Sequence, residues 1–407
     1  MTFDVAPVRA LYPALADGHA YLDGAAGTQV PVPVIDAIAD AYRAGIGNLG
    51  GAFEASHRSE EIVARARRAV ADLTGGTEGG VVFGPSATEL CYRVANALSR
   101  MWTADDEVVV SRLDHDSNIR PWIQAAARVG AVVRWAEADL ETGELPAAQY
   151  ADLVGPRTRL IAVTAASNAI GTRPDVAAIA AHAHAVGALC YVDGVHATPH
   201  VPVDVTALGA DFYAASAYKW AGPHVAAVVA APGLLETIWP DKLAPSSNEV
   251  PWRFERGTLP FADLAGVAAA VDHLAALAPG GASSGTVSES RRERVLASMA
   301  AVEAYEAGLF ARLLGGLDEL GVTLYGSAAR RAPTAFFNVP GVPPRTVAEH
   351  LAARGVNVWN GDNYAYELCT ALGLQPDGAV RAGVVHYNNL SDVDRLLASL
   401  AELTAER

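Results

Sequence analysis

The sequence predicts an α/β fold: a central, mostly parallel sheet wrapped by helices, followed by a small α+β lobe. Three observations carry this. The chain has 407 residues, enough for two lobes. From about residue 80 to about residue 230, short apolar runs alternate with helical segments. Beyond residue 320 the apolar runs continue with fewer helices between them.

The elements follow in order. Residues 31–45 and 58–74 carry helical patterns, the second with alternating charges. GPSATE (84–89) leads into a helical stretch, LCYRVANALSR. VVVS (108–111), AVVRW (131–135), LIAVTAAS (160–167), LCYVD (189–193), FYAAS (212–216) and VAAVVAA (225–231) are apolar along their length, as strands covered on both faces are. Helical stretches at 120–129 and 174–187 lie between several of them. PGGASSGTVSES (279–290) has the composition of a loop. A long helix follows over 290–315. VTLYG, TAFFNVP, VNVWNG and AVRAGVVHY then read as strands, with helices near 345–354 and 391–404. The expected division is an N-terminal segment, 1–30, joining the small domain; a large domain, 31–288; and a connecting helix plus small domain, 289–407.

Composition limits the function. A formal net charge of -15 disfavours nucleic acid and anionic membranes as partners. No basic start followed by an apolar stretch opens the chain, and no run of about 18 apolar residues occurs, so a cytoplasmic location is expected. Cys91, Cys190 and Cys369 are isolated, which suggests neither a disulfide framework nor a zinc site; no metal is expected. His182 and His184, two apart on a helix, point to different faces. His196 and His200 are four apart, but Pro199 argues against a regular helix between them.

The stretch DFYAASAYKWAGP (211–223) sets a lysine, Lys219, between aromatic and small residues. Most lysines are solvated. A buried one loses proton affinity and becomes a nucleophile suited to carbonyl chemistry. Asp193 ends an apolar strand, where α/β folds bind ligands and where turn or capping aspartates also occur. GPSATE places small residues at a helix start, which serves either an ordinary N-cap or an anion. A lysine nucleophile, a strand-end carboxylate and a phosphate cradle together describe a pyridoxal phosphate site.

With these residues the chain resembles the fold-type I, class V aminotransferase-type pyridoxal phosphate enzymes, in the cysteine desulfurase and selenocysteine lyase branch. The likeness runs from YLDGAAGTQVP (21–31) almost to the C-terminus. It is strongest in SNAIGT (167–172), YVDGVHATPHVPVDVTALGADFYAASAYKWAGP (191–223), PWRFERGT (251–258) and VRAGVVHYNN (380–389). The resemblance implies that Lys219 joins the cofactor, Asp193 holds its pyridinium nitrogen and His115 stacks on its ring, where it can move protons. Asn168 falls beside the ring oxygen and the substrate carboxylate, and His196 where desulfurases usually carry a glutamine. The Ala87 amide, Thr88 and Ser216 match phosphate contacts, with Tyr218 where a histidine is common. Thr258 matches a residue lent by a neighbouring subunit, so a homodimer with shared sites is implied. Arg381 matches the arginine that grips an amino-acid carboxylate; its other reading is a surface salt bridge. Asp114 and Asp116 beside His115 are expected to favour its protonated form.

Two positions depart from the family pattern. The desulfurases' loop cysteine has no counterpart: Tyr364 takes its place in WNGDNYAYEL (359–368), and Cys369 lies in a helical stretch without a basic neighbour. In NLGGAFEAS (48–56), Gly50 and Gly51 stand where a His-Arg pair is usual, implying a roomier or less basic entrance. The implied activity is a pyridoxal phosphate reaction on an amino acid. Persulfide-forming desulfuration needs a thiol and is set aside; C–S lyase (β-elimination) chemistry, which needs none, is favoured by proximity to the family. Aminotransfer and epimerisation use the same residues, and a catalytically silent scaffold is the reading of another class.

Overall fold

The computed structural model describes residues 3–278 and 290–405. The loop expected at 279–290 falls almost wholly outside the described residues, and so does the boundary expected at 288/289.

Seven strands form the central sheet: β1 (Val81–Gly84), β2 (Glu107–Ser111), β3 (Val132–Ala136), β4 (Thr158–Thr164), β5 (Leu189–Asp193), β6 (Phe212–Ser216) and β7 (Ala226–Ala230). Their order is β1-β7-β6-β5-β4-β2-β3. Pairs among β2 to β6 are parallel, and β7 runs antiparallel to both β6 and β1. Alternate residues face opposite layers. Val109, Ile161, Val163 and Val192 enter one core cluster. Val108, Val110, Leu160 and Tyr191 enter another. Both faces are therefore dry, which explains the continuous apolar runs.

Helices α1 (Val32–Ala44), α2 (Glu54–Thr74), α3 (Ala87–Ser99), α4 (Arg120–Val129), α5 (Val176–Ala185) and α6 (Phe261–Ala275) accompany this sheet. Ser86 caps α3, its hydroxyl accepting from the Glu89 N–H, and Asp175 caps α5. The long α7 (Arg291–Glu319) opens on a capping box between Ser290 and Glu293.

A second sheet follows in the order β10-β11-β9-β8, fully antiparallel: β8 (Thr323–Tyr325), β9 (Thr334–Asn338), β10 (Trp359–Gly361) and β11 (Ala379–Gly383). α8 (Pro344–Ala352), the short α9 (Tyr366–Ala371) and α10 (Leu390–Ala405) complete this small α+β domain. Ala20–Tyr21 pairs in parallel with Val356–Asn357, and Ala20 and Leu22 enter the small domain's core, so the N-terminal segment returns to it.

The structure adjusts three strand expectations. Strand β1 carries none of the predicted runs: it is four residues long beside glycines and is defined by its partner β7, far along the chain. The run expected over 160–167 begins earlier and ends at Thr164, since residues 165–171 turn back over the sheet edge. AVRAGVVHY stops as a strand at Gly383, where a Cβ would sit 2.7 Å from that of Ala25.

Candidate active site

Asp193 and Ser216 are the last residues of neighbouring parallel strands, so both stand at the carboxyl edge of the sheet. In open α/β sheets that edge is where ligands bind. A tight turn, Ala217–Lys219, continues from β6. Trp220 and Ala221 behind it are buried in the core, and Ala221 takes a positive φ of 65°. Thr28 clasps the turn from both sides: its hydroxyl donates to the Tyr218 carbonyl (3.1 Å) and accepts from the Ala221 N–H (2.7 Å).

The turn forces the Lys219 side chain inward, where it is only 6% exposed. Burial, with Arg381 nearby, pulls its pKa down to about 7, while Asp193 opposes the shift. Its ammonium donates to the Ala25 carbonyl. The sequence contains one other lysine, Lys242, whose ammonium is spent on the carbonyls of Leu243 and Ser246, away from this site.

Two connected cavities meet at Lys219. The deeper one is lined by Ala87, Thr88, Asp193, His196 and Ser216. The outer cleft, about 1090 Å³, is lined by Arg381, Trp359, Asp362 and Tyr364 among others. Thr88, His115, Asn168, Tyr218 and Lys219 line both. Every predicted site residue except Thr258 therefore borders one space. Thr258 is exposed and borders neither cavity of its own chain.

The polar groups are arranged with unused capacity. Asp193 accepts from the Val195 N–H (2.9 Å), as a turn aspartate would, but it is buried and its pKa is raised by desolvation. His196 meets the Thr334 hydroxyl through Nε2 (2.9 Å), and its Nδ1 has no partner. Burial holds that imidazole neutral. Asn168 donates to the Asn363 carbonyl (2.7 Å), leaving its Oδ1 unpaired. Arg381, central in the small sheet, donates through one terminal nitrogen to the Asn168 carbonyl (2.9 Å), while its buried Nε is unpaired. It is buried and makes no salt bridge among the described residues, which removes the surface-pair reading. Burial draws its pKa to about 10. Buried polar atoms normally find partners, so this set is built for a polar ligand.

His115 corrects one expectation. Its pKa falls to about 3, driven by burial and then by Lys219 and Arg381. Neither neighbouring aspartate supports a charge. Asp114 faces the interior, bonded by Ser111 and Asn118, and burial raises its pKa to about 8. Asp116 pairs with Arg120 at 2.9 Å. The imidazole is neutral, and its Nδ1 accepts from the Ser117 N–H (3.0 Å), which assigns the proton to Nε2.

Sequence reasoning missed Ala25, Thr28, Ser117 and Asn363. Ala25 and Asn363 act through carbonyls, which leave no mark in residue type. The only signal was the small-residue run DGAAGT (23–28), where a Cβ on Gly27 would lie 3.0 Å from the Tyr218 ring.

A buried amine with a lowered pKa, a strand-end carboxylate and a helix start form a cradle for an aldehyde-bearing phosphate ester. Ser86, Ala87 and Thr88 at the start of α3 and Ser216 at the end of β6 line the deeper cavity, and a helix start is a ready site for an anion. Pyridoxal phosphate fits this donor set.

The comparisons agree. The family described as Aminotransferase class-V matches residues 20–280 and 294–396. A cysteine desulfurase of Klebsiella pneumoniae is 34% identical, the alignment covering 99% of each chain. An uncharacterized protein of Mycobacterium tuberculosis is 37% identical over 99% of this chain and 100% of its own. Among solved structures, a cysteine desulfurase from Thermococcus onnurineus superposes with a TM-score of 0.90 at 27% identity, covering 100% of this chain and 99% of that one. The buried lysine, its carboxylate and the fold around them thus place this chain in the class V aminotransferase family, as a cysteine desulfurase-like, pyridoxal phosphate-dependent enzyme.

Proposed function

We propose that this enzyme is a C–S lyase acting by β-elimination on an amino acid that carries a sulfur substituent on its β-carbon. The observation that carries the reading is the absence of a thiol from the cleft. All three cysteines are buried. Cys369 sits in α9 with its Sγ toward the Asp362 carbonyl, and burial pushes its pKa up to about 12. Tyr364 lines the cleft, and by the sequence resemblance it takes the place of the desulfurases' loop cysteine. Sulfur leaving the substrate then has no enzyme thiolate to capture it.

When bound, the cofactor supplies an electron sink that makes the substrate's α-proton acidic. The chain's residues do the rest. Lys219 would carry the cofactor, and its free amine, with its pKa lowered to about 7 by burial, is about half deprotonated at pH 7 and able to take the α-proton. Asp193 would hold the ring nitrogen of the bound cofactor. The Ala87 amide, Thr88, Ser216 and Tyr218 would hold its phosphate, and His196 and Asn168 its ring oxygen. His115 would stack on the ring, with its Nε2–H free to donate. Arg381 grips the substrate carboxylate with its free edge, with Asn168 beside it. Thr258, exposed on its own chain, reaches the site of a second subunit in a homodimer. Gly50 and Gly51 then lie at the partner's entrance. Gly50 has open space for its side and a φ of 83°, whereas a Cβ on Gly51 would meet the Phe53 ring at 2.4 Å.

The balance of the reaction gives one thiol, one keto acid and one ammonia per substrate. The test is incubation of the cofactor-loaded enzyme with S-substituted cysteines, assaying all three products. Equimolar thiol, pyruvate and ammonia support the lyase. Amino transfer to an added keto acid, a racemised substrate without thiol release, or no turnover of any amino acid assigns the site to the transaminase, the epimerase or the silent scaffold.

A further inference from the structure

The outer cleft carries two large aromatic side chains that the fold leaves uncovered. Trp359 of β10 is 52% exposed and Tyr364 is 70% exposed, and both line the cleft together with Lys219 and Arg381. Single exposed apolar side chains are ordinary on a protein surface. Two at one cleft form a surface suited to a ligand.

Each ring is tied to a group at the chemistry. Trp359 stands directly opposite Arg381 in the antiparallel pairing of β10 with β11. Opposed residues in such a pair project from the same face of the sheet, with Cβ atoms about 4.5–5.5 Å apart. The indole therefore stands beside the guanidinium assigned to the substrate carboxylate. Tyr364 lays one face of its ring on His115 and, being mostly exposed, keeps the other uncovered.

The polar groups beside the rings are already engaged. Asp116 pairs with Arg120 at 2.9 Å, and Arg120 also holds Glu367. The Asp362 carboxylate accepts from the Tyr364 N–H (3.0 Å) and from the Gln375 amide (3.3 Å). The cleft, about 1090 Å³, is also far larger than a cysteine with a bare thiol requires. Clefts of roughly 300–1,000 Å³ take drug-sized ligands. In the homodimer proposed above, the second subunit brings glycines, Gly50 and Gly51, to this entrance, and they leave the space open.

We propose, resting on the lyase reading above, that the substrate's sulfur carries an aromatic group of about benzyl size, and that Trp359 and Tyr364 select it. With the amino acid held at Arg381, the aromatic group lies along the indole and the phenol ring, in the offset or edge-on contacts that aromatic pairs prefer. Turnover consumes the S-aralkyl cysteine and one water and yields the aralkyl thiol, pyruvate and ammonia.

The test compares S-benzyl-L-cysteine with S-methyl-L-cysteine, whose thiols leave with comparable ease, in cofactor-loaded wild type, Trp359→Ala and Tyr364→Ala. In the wild type kcat/KM is expected to favour the benzyl substrate about tenfold or more, and in each variant that ratio is expected to fall about three- to tenfold. Both side chains are largely exposed, so the melting temperature and the visible spectrum of the cofactor are expected to hold. Two analogues in which a methylene replaces sulfur, 2-amino-5-phenylpentanoate and norvaline, separate this inference from the lyase reading, because neither carries a leaving group. Titrations followed by the cofactor's visible spectrum are expected to show the phenyl analogue binding about tenfold or more tighter than norvaline, with the gap closing in the variants. That binding preference without thiol release from either cysteine would remove the lyase and leave the aromatic site standing. Equal kcat/KM for the two cysteines with equal affinity for the two analogues, or a preference that survives both substitutions, would overturn the inference whether or not thiol is released.

Discussion

The ring of Tyr364 stacks on the imidazole of His115, with centroids 5.3 Å apart and planes inclined by 26°. The contact is fixed from both sides. The Asp116 N–H donates to the Tyr364 carbonyl (2.8 Å), and the Tyr364 N–H to the Asp362 carboxylate (3.0 Å). Asn363 and Tyr364 both hold positive φ, 52° and 59°. Strained backbone of this kind persists only where surrounding bonds determine it, and it clusters at functional sites. The small domain thereby lays an aromatic ring on a large-domain histidine, and both residues line the cleft. Tyr364→Phe should keep the stack and leave kcat/KM within about twofold. Tyr364→Ala should lower it about three- to tenfold, the loss of an aromatic contact worth roughly 0.5–1.5 kcal/mol. A Phe variant as impaired as the Ala variant would shift the role from the ring to the hydroxyl.

Arg381 offers a second prediction. Its guanidinium is buried, makes no salt bridge among the described residues, feels the Asp23 carboxylate at longer range, and is partly anchored on the Asn168 carbonyl. Removing a charge-assisted bond to the substrate carboxylate costs about 2–3 kcal/mol, or roughly a hundredfold in kcat/KM. Arg381→Ala should show this loss chiefly in KM. Arg381→Lys should recover little, because a point charge cannot hold Asn168 and a carboxylate at once. Steady-state kinetics on the best substrate decides; an unchanged KM in both variants would remove Arg381 from the substrate site.

The lysine's ionisation gives a pH profile. In the chain without cofactor, Lys219 must lose its proton to attack an aldehyde, and its pKa is lowered to about 7 by burial and by Arg381. The rate of pyridoxal phosphate uptake should therefore rise with pH and level off above about 7, instead of climbing toward the ordinary lysine value near 10.4. Stopped-flow absorbance across pH 5 to 10 measures it. In Arg381→Ala the midpoint should move upward, since one of the two causes of the depression is gone.

The cysteines make a fourth test. Each is buried, and burial raises each thiol's pKa. Cys369→Ala should leave kcat/KM within about twofold, at a stability cost of roughly 1 kcal/mol for lost packing. Loss of thiol or sulfide release in a variant that still melts like the wild type would return a sulfur nucleophile to the mechanism.

Much of this arrangement was legible in the residues. Strands 189–193 and 212–216 match their predicted bounds because both are apolar on each face and end where the chain leaves the sheet, at Asp193 and Ser216. Lys219 stood out because its neighbours are core residues, and the structure buries it. Other features had no local signature. Strand β1 depends on pairing with β7, about 145 residues later in the chain. The contributions of Ala25 and Asn363 come from carbonyls that every residue carries. The neutrality of His115 depends on Lys219 and Arg381, which only the fold brings near, while the adjacent Asp114 turns inward. Sequence neighbours misled there because charge acts through space and not along the chain.

The central claim is that one amine, that of Lys219, holds the cofactor. The chain has only two lysines, so borohydride reduction of the cofactor-loaded protein, followed by peptide mass spectrometry, reads the answer without ambiguity. The account predicts a reduced pyridoxyl group on the peptide containing Lys219, none on that containing Lys242, and no label in Lys219→Ala. Label on Lys242, or none on either lysine of the wild-type protein, would contradict it.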